Sequence, residues 1–127
     1  MSEPVFISVA QVESIHLRQL ARFGGTSGLR DRGGMEAAIF APQNIHFYAG
    51  GDRYEIAAGY AYHIAEAQAF LDGNKRTAIG VALAFLELNG VTTNTATAEL
   101  HAAMITIAEK RMLRAELATL LRTLFPA

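Results

Sequence analysis

The chain contains no cysteine, which excludes a disulfide framework and any thiolate chemistry and fits a cytoplasmic protein. It also lacks a surplus of charge: 11 Lys and Arg stand against 12 Asp and Glu, a formal net charge of −1. Broad nucleic-acid binding normally needs a basic surplus or stripe, so no direct nucleic-acid partner is expected. No long hydrophobic run is present. The longest, 78–86, is interrupted only by Gly80 and stops at Glu87. That is about half the ~18 residues needed to cross a bilayer, so it reads as a buried helix and no membrane partner is expected. Met1-Ser2-Glu3-Pro4 lacks the basic and apolar regions of a signal peptide. His16, His46, His63 and His101 lie far apart and form no HExxH-type metal pair. A scattered histidine is more often structural or exposed than catalytic, and no Ser/His/Asp arrangement can be assembled.

What is present is a chain of 127 residues, 51% hydrophobic and 18% charged, long enough for one domain, 1–127, with a real core. Ser8 with Gln11 forms a capping box, and Val9, Val12, Ile15, Leu17 and Leu20 give a helical stripe to about Arg22. Gly24-Gly25-Thr26-Ser27-Gly28 then makes a loop. A short helix over 35–40 should end before Pro42. In 43–53, the apolar Ile45, Phe47 and Tyr48 against Gly50-Gly51 predict a small β-hairpin or extended flap. Helical spacing returns from Tyr54 to about Ala69. A nearly all-apolar helix at 74–88 should form the centre of the core, ended by Asn89 and a left-handed Gly90. Two amphipathic helices follow, from about Ala96 to Glu109 and from Leu113 to Leu124, the second with a leucine stripe that reads as core. The expected architecture is all-α, about six helices with one β-hairpin flap.

Phe70-Leu71-Asp72-Gly73-Asn74-Lys75-Arg76-Thr77-Ala78 carries the chemistry. A helix start is an anion site, because its first N–H groups lack partners and the macrodipole leaves partial positive charge there. Asp72 could hold a hard cation such as Mg²⁺, which takes oxygen ligands and shares them with phosphates. Lys75 and Arg76 could reach phosphate oxygens, Arg76 through a bidentate fork. Asp-Gly-Asn is also an ordinary turn before an N-cap, and Lys-Arg in a first helical turn is often solvated surface. Cations there oppose the helix dipole, however, and that local cost points to an anion. A Walker-type loop is excluded: its glycine, five residues before Lys75, is Phe70, and no Ser or Thr follows the lysine.

The segment from Gln68 to Ala78 resembles the signature of the Fic/Doc family in its Doc form, His-x-Phe-x-Asp-(Gly/Ala)-Asn-Lys-Arg-Thr-Ala. The likeness extends to Gly24-Gly25, Gly28-Leu29-Arg30-Asp31, Glu36-Ala37-Ala38, Pro42-Gln43 and Phe85-Leu86-Glu87-Leu88-Asn89-Gly90, and so covers essentially the whole chain. It implies a Fic-type helical bundle with a β-flap beside a nucleotide site. Family members transfer part of a nucleoside triphosphate to a protein hydroxyl; most move AMP, whereas the Doc form phosphorylates a threonine of elongation factor Tu. By the same resemblance Asp72 would hold Mg²⁺, Gly73 and Asn74 would form the anion hole, and Lys75 and Arg76 would grip the phosphates of ATP. The flap at 43–53 would dock the target by strand addition. A cognate antitoxin would lay an amphipathic helix on the early helices, around Ile15. Ile79 stands where AMP-transferring members carry a second arginine, which favours the kinase form.

One position departs from the signature. The family's catalytic histidine falls at Gln68, and an amide cannot accept a proton at physiological pH. On a continuous helix, His63 would point about 140° away from position 68 and Glu66 nearly opposite, so neither replaces it. The resemblance therefore implies a Doc-like kinase impaired at Gln68. The alternatives are a non-catalytic module that binds nucleotide or antitoxin, and, more weakly, AMP transfer.

Overall fold

The computed structural model describes residues 3–93, 97–108 and 112–126. Six helices run through them: α1 (Val9–Phe23), α2 (Arg32–Ala49), α3 (Arg53–Ala67), α4 (Asn74–Leu88), α5 (Thr97–Ala108) and α6 (Arg114–Leu124). The all-α expectation holds. The expected ends of the fifth helix, Ala96 and Glu109, lie outside the described residues. Among those described, no helix is long and apolar enough to cross a membrane.

Helix ends follow their local chemistry. Ser8 Oγ accepts from Gln11 N at 3.2 Å while Gln11 Oε1 accepts from Ser8 N at 2.8 Å, the reciprocal pair that satisfies two orphan donors of α1. At the end of α4, Val91 N donates to Leu86 O at 2.9 Å and Gly90 N to Glu87 O at 3.3 Å, with Gly90 at φ +88°. This is a Schellman closure, and Val91 and Leu86, the apolar pair of that motif, are both buried.

The flap at 43–53 is absent, a correction to the sequence reading. Residues 43–49 continue α2, which carries Pro42 in its interior. A proline there forfeits one hydrogen bond and crowds the preceding turn, which is why the sequence argued for a stop. Packing overrides that cost. Met35, Ala38, Ile39, Pro42 and Ile45 form one buried helical stripe across the proline. Pro42 and Ile45 fill the notch left by Gly59 of α3, where a Cβ would meet Ile45 Cδ1 and would lie 3.5 Å from Pro42 Cβ. Gly50, at φ +64°, ends the helix where the turn was expected.

The centre of the core also differs. It is shared by α4 and α3, and α3 is buried along most of its length: Ile56, Ala57, Ala58, Gly59, Tyr60, Ala61, Ile64 and Ala65. Its small residues let α2, α4 and α6 all close on it. Ile15 is largely buried, its Cγ2 2.9 Å from where a Cβ on Gly80 would lie, so it is part of the α1–α4 contact, and its edge lines an open groove between the two helices with Gln11, Arg18, Ala84 and Leu88.

Tyr60 ties the N-terminal segment to this core: its buried hydroxyl accepts from Ile7 N at 2.9 Å. Burial pushes its pKa up to about 12, only partly offset by the Ile7 N–H, which favours the phenolate. Because the folded value lies above the ordinary one near 10, the stability tied to this group is complete below about pH 10 and is lost as pH rises toward 12. Tyr60→Phe should cost about 1–3 kcal/mol at neutral pH, since Ile7 N–H is left buried and unpaired. The same substitution should flatten the alkaline limb of stability; urea midpoints measured against pH check both.

Candidate functional site

The segment between α3 and α4 is held from both sides. On one side Arg30 N and Asp31 N donate to Ala69 O at 2.7 and 3.1 Å, and Leu71 N donates to Gly28 O at 3.0 Å. On the other, Asn74 Nδ2 donates to Phe70 O and Asn74 Oδ1 accepts from Phe70 N, each at 3.0 Å. Residues 69–71 thus behave as a one-bridge strand whose second edge is supplied by an asparagine amide. The close approach of the 24–31 loop requires glycine. A Cβ on Gly28 (φ +127°) would lie 2.9 Å from Leu71 Cδ1, and one on Gly25 (φ +126°) 2.8 Å from Asp72 Oδ2.

Beneath the segment, buried His16 of α1 stacks on Phe70 with ring centroids 3.8 Å apart, and its Nε2 lies 2.8 Å from Asp72 O. A carbonyl can only accept, so His16 carries its proton on Nε2 and donates. Sequence reading left this histidine unassigned; it is a support for the loop.

Above it opens a cleft of about 360 Å³ lined by Arg30, Gln68, Asp72, Gly73, Asn74, Lys75, Arg76 and His101, among others. All six residues singled out in the sequence therefore meet in one place. Helical bonding in α4 begins at Thr77, whose N–H reaches Gly73 O at 2.9 Å, and the helix has no side-chain cap. The N–H groups of Asn74, Lys75 and Arg76 are left without intrahelical partners at the cleft floor. Three cations, Arg30, Lys75 and Arg76, surround them, and Arg76 rests its guanidinium 4.4 Å above the Phe23 ring. Charge, donors and room for a polyphosphate coincide here.

Asp72 is exposed and accepts Gly73 N on Oδ1 at 3.0 Å and Thr26 N on Oδ2 at 3.2 Å. A carboxylate has about four lone-pair positions, so each oxygen can still take a cation. Among the described residues no group of three or more His, Asp or Glu side chains could hold a metal by itself. That set suits Mg²⁺, which is commonly held by one or two carboxylates plus substrate phosphates and water.

Gln68 is not on a helix, which corrects the geometric premise of the sequence reading. It follows the last residue of α3 with φ +46° and ψ +45°, left-handed backbone that no other non-glycine residue adopts among those described. Such a conformation costs of order 1–3 kcal/mol and clusters at functional sites. The turn delivers the exposed Gln68 side chain to the cleft, and helical-wheel angles from His63 or Glu66 do not apply to it.

Residues 6–86 match the Fic/DOC family. The chain belongs to that family. It is 37% identical over 86 residues to the protein kinase Doc of Escherichia phage P1, a match covering 67% of this chain and 68% of that protein. It is 41% identical over 73 residues to the toxin Doc of Mycolicibacterium smegmatis (strain ATCC 700084 / mc(2)155), covering 54% of this chain and 55% of that toxin. The Fic/Doc match spans the cleft floor, the 24–31 loop and Gln68, and stops before α5. Two cleft residues escaped the sequence reading. Arg30 stood in a segment quoted for its resemblance but was given no role. His101 comes from a helix 33 positions after Gln68, and no spacing rule links the two.

Proposed function

We propose that the chain is a Doc-type toxin that transfers the γ-phosphoryl group of ATP to a threonine hydroxyl of elongation factor Tu, and that a cognate antitoxin restrains it. The observation that carries this reading is the convergence of three unpaired N–H groups, three cations and one carboxylate on a single cleft. In this scheme Gly73 and Asn74 shape the anion hole, and the backbone N–H of Asn74, Lys75 and Arg76 receives phosphate oxygens. The Asn74 side chain, already committed to Phe70, only holds the loop. Lys75, Arg76 and Arg30 neutralise charge on the phosphates, the chief task in phosphoryl transfer. Mg²⁺ at Asp72 would supply further charge neutralisation when bound. The cytoplasm is where such a target would be met.

AMP transfer fits less well. Ile79, at the position of the second arginine in AMP-transferring members, is buried and cannot present a cation to the cleft. The non-catalytic module remains a distinct reading because of Gln68, which offers no proton acceptor. One experiment separates the three. ATP labelled at the γ or the α phosphorus is incubated with elongation factor Tu and the Gln68→His protein. Transfer of the γ label is the expected outcome. Transfer of the α label would mean AMP transfer, and transfer of neither would mean a binding module.

A further inference from the structure

The proposed transfer needs a proton acceptor, and one residue of the cleft qualifies. Arg30, Lys75 and Arg76 are cations, Gln68 and Asn74 are amides, and Asp72 is the carboxylate assigned above to the cation of the phosphates. The remaining polar side chain is His101. It is half-buried on α5, a helix packed against both α3 and α4 and anchored by the flanking Leu100 and Ala103, which are buried. The other histidines are occupied elsewhere: His16 under the loop, His46 edge-on to Phe6 and Phe47, His63 against Tyr62. Among the described residues, His101 is the single imidazole in the cleft.

We propose that His101 acts as the general base in this chain, a catalytic residue contributed by α5 in place of the histidine absent at position 68. This rests on the phosphotransferase reading above. The target hydroxyl oxygen forms a bond to the γ phosphorus, the bond from that phosphorus to the bridging oxygen breaks, and ADP leaves with the electron pair. The hydroxyl proton passes to the unprotonated ring nitrogen of His101 and from there to water. The charged groups that share the cleft with it are Arg30, Asp72, Lys75 and Arg76.

Transfer of γ-labelled phosphate from ATP to elongation factor Tu is measured for the chain itself, His101→Gln, Gln68→His and the double variant, with His101→Ala as a second substitution. The chain itself should transfer slowly, and His101→Gln should lower that rate by about tenfold or more. In the Gln68→His background the same change should cost much less, because two acceptors serving one proton are not additive. Calorimetric ATP binding measured alongside distinguishes lost chemistry from lost affinity. Equal losses in both backgrounds, or none in either, overturn the proposal. So does a chain that moves no label while Gln68→His does, and the transferase reading survives that result. If Gln68→His also moves no label, the transferase reading fails and His101 loses its role with it.

Discussion

Gln68→His is expected to raise γ-phosphoryl transfer by about 10²-fold or more and to arrest growth of cells that express it. The argument is local. Each proposed phosphate and cation ligand is present in the cleft, and the change adds an imidazole, the side chain whose unperturbed titration lies nearest neutrality. The left-handed backbone at position 68 already turns the side chain toward the cleft, so no rearrangement of α3 is needed. Gln68→His combined with Asp72→Ala should be inert, because the phosphates lose the carboxylate that shares their cation. Growth curves and label transfer check both variants. A Gln68→His protein that binds ATP and transfers nothing would overturn the transferase reading in favour of the binding module.

Much of this was legible from residues alone because it depends on neighbours in sequence. The capping box at Ser8, the closure at Gly90 and the bounds of α4 are set by groups within five positions of one another. The grouping of Asp72, Gly73, Asn74, Lys75 and Arg76 is local for the same reason. What failed depends on tertiary contact. Pro42 argued for a break, and only the Gly59 notch of α3 explains why α2 runs on to Ala49. Ile45, Phe47 and Tyr48 read as alternation, whereas Ile45 belongs to a helical stripe that begins at Met35. Arg30 and His101 reach the cleft because a loop and a distant helix fold over it, and neither approach leaves a periodic trace.

Asn74→Ala should be the most damaging single change to the site, for a reason motif reading does not give. The Asn74 amide donates to Phe70 O and accepts from Phe70 N, while Gly28 and Arg30 serve the alternate groups of residues 69 and 71. Removing the amide leaves one donor and one acceptor of buried Phe70 without partners, at a cost of about 2–4 kcal/mol. The loop carrying Asp72 and Gly73 loses one of its two edges, so the carboxylate and the helix start no longer hold a fixed separation. ATP affinity should then fall by about tenfold or more, equivalent to ~1.4 kcal/mol. Asn74→Asp sharpens the test. A carboxylate can still accept from Phe70 N but cannot donate to Phe70 O, and it places negative charge where phosphate is expected. It should recover part of the stability lost in Asn74→Ala and none of the affinity. Urea unfolding and calorimetric titration with Mg-ATP read the two effects separately. An Asn74→Ala protein with unchanged midpoint and unchanged affinity would mean that the loop is held by Gly28 and Arg30 alone.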